Sequence, residues 1–99
     1  MKENDMLPER FWKRTKELLS KFYPSEEIYL SGSWSDEGKN TPTKESDVDI
    51  YIFRNEPKTA FKDELTSKWM KIMVGRTFEI FIVDLAYKPI VSQGMERLI

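Results

Sequence analysis

Ninety-nine residues are enough for a single domain with a modest core, and 39% hydrophobic with 13% aromatic residues supports a globular chain over a disordered one. Sixteen basic against seventeen acidic residues, a net charge of −1, give no overall footprint for stable nucleic-acid binding. The absence of cysteine and histidine excludes disulfides, thiolate nucleophiles, thiolate zinc sites and the usual imidazole base, so acid–base chemistry must rest on carboxylates, lysine or tyrosine.

In chain order, Met1–Asp5 is too polar for a secretory signal, and no apolar run approaches the ~20 residues of a membrane span, so a cytoplasmic location without membrane contact is the expectation. Pro8 suits a first helical position and Tyr23-Pro24 a stop. Between them Phe11, Thr15, Leu18, Leu19 and Phe22 recur at helical spacing, with Lys13, Arg14, Lys16 and Lys21 on the solvated side. A short strand, Ile28-Tyr29-Leu30, runs into Gly32-Ser33. The segment Trp34–Ser46, rich in Ser, Thr, Gly38, Asn40 and Pro42, reads as a loop that carries Lys39 and Lys44.

Asp47 to Phe53 alternates polar and apolar residues and predicts a strand. Asp47 and Asp49 share one face, roughly 6.5 Å apart along the backbone, while Val48, Ile50 and Ile52 anchor the other in the core. Pro57 is then expected to open a second helix, with Phe61, Leu65, Trp69 and Ile72 as its apolar stripe and Gly75 as its stop. Thr77–Asp84 is apolar enough for an interior strand and carries one unexplained acid, Glu79. Val91–Ile99 reads as a last helical turn.

Strand, helix and strand from Asp47 to Asp84 make a βαβ-like unit with parallel strands, with the Ile28 strand antiparallel to the first of them. The expected fold is α/β (α+β): one domain over residues 1–99, a small mixed sheet with helices packed on one face. Parallel pairing also separates the two later acids. Glu79 lies early in its strand, near Asp47 and Asp49, whereas Asp84 lies ~16 Å farther along on the opposite face.

Gly-Ser, thirteen residues, then Asp-hydrophobic-Asp-hydrophobic resembles the nucleotidyltransferase superfamily of the DNA polymerase β type, and most nearly its minimal single-domain members. The resemblance covers Ile28 to Asp84. It implies the polymerase-β-like fold and transfer of an NMP group, AMP from ATP by preference, onto a hydroxyl. By the same resemblance Asp47 and Asp49 are paired metal ligands, Glu79 is the third carboxylate, and two Mg²⁺ ions are expected with bound nucleotide. Gly32 and Ser33 match the turn that holds the triphosphate. Where small members often carry Arg and Gly, this chain has Ser35-Asp36-Glu37-Gly38-Lys39, so Lys39 is the cation left to offset that acidic pair. Small stand-alone members resemble antitoxins paired with a HEPN-type helical protein whose tyrosine is an acceptor. The alternative is an inactive module that keeps the fold and neutralises a partner by contact. Acceptor, base preference and oligomeric state stay open, a homodimer among them.

Overall fold

The computed structural model describes residues 9–31, 47–56 and 60–99. Among these, two longer helices and a five-stranded mixed sheet enclose one core. Helix α1 (Glu9–Phe22) turns Trp12, Thr15, Leu18 and Leu19 inward and leaves Lys13, Arg14, Lys16 and Lys21 in solvent. Phe11 packs against the edge of the core, while Phe22 stands outside it. Tyr23 follows the last turn, its N–H donating to the Leu19 carbonyl, and Pro24 stops continuation.

The sheet comprises β1 (Ile28–Ser31), β2 (Val48–Arg54), β3 (Ala60–Lys62), β4 (Phe78–Asp84) and β5 (Glu96–Arg97), ordered β3-β4-β2-β1-β5. β2 and β4 are parallel, and β1 is antiparallel to β2, as the alternating patterns predict. Ile28, Leu30, Val48, Ile50, Ile52, Phe78, Ile80 and Ile82 point to the helix-covered face and are almost wholly buried with Leu19 of α1 and Met70 of the second helix.

Two segments differ from the sequence reading. The stretch expected to open a helix at Pro57, itself outside the described residues, instead forms β3, and helix α2 (Glu64–Val74) starts only after Asp63. Asp63 caps it: one carboxylate oxygen accepts from the Thr66 N–H at 3.1 Å and the other from the Thr66 hydroxyl at 2.9 Å. The helix ends at Gly75, whose φ of +84° is a left-handed conformation that favours glycine.

The expected stripe is also inverted. Leu65, Trp69 and Ile72 are 68%, 48% and 63% exposed, Phe61 belongs to β3, and the buried positions are Thr66, Ser67 and Met70. The cause lies at the edge of β4, because β3 ends at Lys62, opposite Phe81, and leaves the backbone of Ile80 without a strand partner on that side. The Asp63 N–H donates to the Ile80 carbonyl at 2.7 Å, and the Ile80 N–H donates to the Ser67 hydroxyl at 3.0 Å. A buried backbone pair must be satisfied, and that requirement turns the Ser67 face of the helix inward.

The C-terminal stretch, expected as a helical turn, contributes β5 to the free side of β1. The Leu98 N–H donates to the Ile28 carbonyl at 2.7 Å, and Leu98 enters the core. Edge pairing supplies backbone partners that one isolated turn would leave to water.

Candidate active site

The acids come together because the sheet register places them there. Asp49 of β2 stands opposite Glu79 of β4, and Ser31, at the end of β1, stands opposite Asp49 on the other side. These residues share the sheet face away from the buried Ile50 and Ile80, since neighbours along a strand alternate faces. Asp47 lies just ahead of β2, exposed, on the same side by parity.

Burial of the Asp49 carboxyl, then the Glu79 and Asp47 charges and a hydrogen-bonding contact with Glu79, push its pKa up to about 6. The Tyr51 hydroxyl, next along the same face, is raised by burial and by the charges of Asp49 and Glu79. Lys62 Nζ approaches a Glu79 oxygen at 3.9 Å from β3.

Glu79 is held through its neighbours. Ile80, the next residue, is fixed at both backbone groups by Asp63 and Ser67. Asp63 is in turn held by the Tyr23 hydroxyl, which donates to it at 2.6 Å. Burial opposes ionisation of Asp63, yet hydrogen bonds from Tyr23 and Thr66 bring its pKa below the usual carboxylate value. Asp84, the other acid of β4, lies opposite Arg54 at the far end and accepts from the Ala86 N–H at 3.4 Å.

Gly32, Ser33 and Lys39 lie outside the described residues, as does the Trp34–Ser46 loop. Tyr51, Phe81 and Lys62 were not singled out from sequence. The first two share parity with Asp49 and Glu79, which is a usable signal. Lys62 offered none, because its segment reads as helix.

A family model described as nucleotidyltransferase domain matches residues 9–97. The chain belongs to that family. It is a minimal nucleotidyltransferase domain of the polymerase-β-like superfamily, and its mixed sheet with packed helices is that fold. No curated protein and no solved structure gives a significant match. Membership makes the nucleotidyltransferase domain a transferase by kind, with a nucleoside triphosphate as the general substrate.

The family generally uses divalent metals. Among the described residues no group of three or more acids is gathered closely enough to hold an ion. The donor chemistry nevertheless fits a hard cation: two carboxyls share one spot, and Asp49 resists ionisation through its burial and the neighbouring negative charges, both of which a cation would offset. Asp49 and Glu79 are the pair brought together, and Asp47 is the exposed acid beside them. No described helix of the nucleotidyltransferase domain is long and apolar enough to cross a membrane.

Proposed function

We propose that this domain transfers AMP from ATP to a hydroxyl acceptor, using Asp47, Asp49 and Glu79 with Mg²⁺. The observation that carries the reading is the facing pair Asp49–Glu79 on parallel strands. Mg²⁺ bound at these acids would polarise the α-phosphoryl group and offset charge on the leaving pyrophosphate. Asp47 and Asp49 supply hard oxygen ligands. Glu79 takes the proton of the attacking hydroxyl as its oxygen bonds to the α-phosphorus and the bond to the β-phosphate oxygen breaks. With no histidine in the chain, a carboxylate is the available base. Gly32 and Ser33 cradle the triphosphate through backbone N–H groups and a hydroxyl, and Lys39 adds positive charge.

The finer proposal is an antitoxin that modifies a HEPN-type helical partner in the cytoplasm. Its support is the resemblance to small stand-alone members, together with the outward Leu65, Trp69 and Ile72, a surface suited to protein contact.

The test uses ATP labelled at either the α- or the γ-phosphate, with Mg²⁺ and cell lysate. Transfer of the α-label alone, lost in Asp49→Asn, is expected. Transfer of the γ-label, or α-transfer undiminished in the variant, would overturn the reading. A protein that transfers nothing but retains a partner equally well with Asp49→Asn would be the contact-only module.

A further inference from the structure

Two aromatic rings lie directly beside the acids on the same sheet face. Tyr51 and Phe81 face each other across β2 and β4, with ring centroids 5.1 Å apart and planes at 31°. Both are partly exposed, whereas their strand neighbours Ile50, Ile52, Ile80 and Ile82 are buried on the helix side. A second ring pair shares this face, Phe53 with Tyr29, which stands opposite Tyr51 on β1, and is already engaged. Phe53 is buried, the Tyr29 hydroxyl donates to Glu27, and Lys88 sits 5.7 Å from the Tyr29 ring centroid. The open rings are thus the ones adjoining Asp49 and Glu79.

Each ring is two residues beyond an acid on its own strand, about 6.6 Å along the backbone. That span is suited to a ribose lying between a phosphate group at the acids and a flat base over the rings. Lys62 shares the face, opposite Phe81 in the register, with its Nζ 3.9 Å from a Glu79 oxygen.

We propose that Tyr51 and Phe81 form the floor on which the base of the bound nucleotide stacks. This rests on the nucleotidyltransferase reading and extends it to substrate selection. A flat base is the one apolar planar group that every nucleoside triphosphate carries. Stacking needs only a π-face, so this floor favours nucleotides over bare polyphosphate while tolerating different bases. Discrimination between ATP and GTP must then come from elsewhere.

Calorimetry with the non-transferable α,β-methylene analogue of ATP and with inorganic tripolyphosphate, each with Mg²⁺, tests the assignment. Phe81→Leu and, as a second variant, Tyr51→Leu remove a ring while keeping an apolar side chain; thermal melts check that each folds. Both should weaken the nucleotide analogue about tenfold and leave tripolyphosphate unchanged. Unchanged affinity for the analogue in both variants, while Asp49→Asn loses it, would overturn the floor alone. Equal losses for both ligands would overturn it too, since the rings would then only support the acids. So would unchanged nucleotide affinity with lost label transfer, which would give the rings to the acceptor. A wild type that binds neither ligand would bring down the nucleotidyltransferase reading itself, and the floor with it.

Discussion

Asp49 and Glu79 face each other across the parallel pair β2–β4, where burial of the Asp49 carboxyl and then the Glu79 charge beside it raise the cost of ionising Asp49. The sign of the pH effect follows. The folded-state pKa of Asp49, about 6, is above its ordinary 3.8, so the folded protein holds that proton more tightly than the unfolded chain. The stabilising contribution is complete below about pH 4 and is lost as pH rises through 6. Asp49→Asn should therefore be more stable than the wild type at pH 7.5 in EDTA, by about 1–2 kcal/mol once screening at this half-exposed group is allowed for. The gap should close at pH 4. Urea unfolding at the two pH values checks both points; equal stability at pH 7.5 would show that ionising Asp49 costs the fold nothing.

Mg²⁺ with nucleotide should reverse that order. A ligand that binds only the folded state stabilises by roughly 2.7 kcal/mol at a hundred times its dissociation constant. The wild type should gain several degrees in melting temperature on adding Mg²⁺ and the non-transferable analogue, while Asp49→Asn and Glu79→Gln gain little. Scanning fluorimetry reads the shifts directly.

Core and surface on α2 can be told apart by truncation. Met70 is fully buried, so Met70→Ala should cost about 2–5 kcal/mol. Leu65→Ser and Ile72→Ser, at exposed positions, should stay within about 1 kcal/mol, the low helix propensity of serine included. Denaturant midpoints for the three variants would expose the opposite ranking if the stripe faced the core.

That ranking marks where the sequence was legible. Period-two alternation in β2 and β4 survives into the structure because both strands bury one face under helices, and the parallel register expected from the βαβ pattern sets Glu79, not Asp84, opposite Asp49. The stripe Phe61, Leu65, Trp69 and Ile72 misled because helical spacing shows which residues share a face, not which face is inward. The inward face was chosen by a backbone pair on Ile80 that needs Asp63 and Ser67, a long-range demand carried by polar residues. The start expected at Pro57 also passed over Asp63, a residue type whose carboxylate caps helices and which caps α2 here. β5 was hidden for another reason: two residues are too few to show a period.

The Tyr23–Asp63 contact predicts a thermodynamic coupling. Asp63→Ala removes the cap of α2 and the acceptor of a mostly buried hydroxyl, leaving it only its contact with Thr66, which together should cost about 2–4 kcal/mol. Adding Tyr23→Phe should recover roughly 1 kcal/mol, because the donor that lost its carboxylate disappears. A double-mutant cycle by urea unfolding measures the term; strict additivity would mean that the 2.6 Å bond contributes nothing.

The strand order also bears on how the chain assembles. β1 lies early in the sequence, yet its outer partner is β5, and Ile28 exchanges backbone bonds with Leu98 and Ile99. In the sequence the parallel pair is complete a dozen residues before β5 begins. Until β5 docks, a chain can hold its acids in register while the outer edge of β1 and the slot for Leu98 remain open. Unpaired edges recruit other strands, so this partly assembled form is the one in which two chains are most exposed to one another.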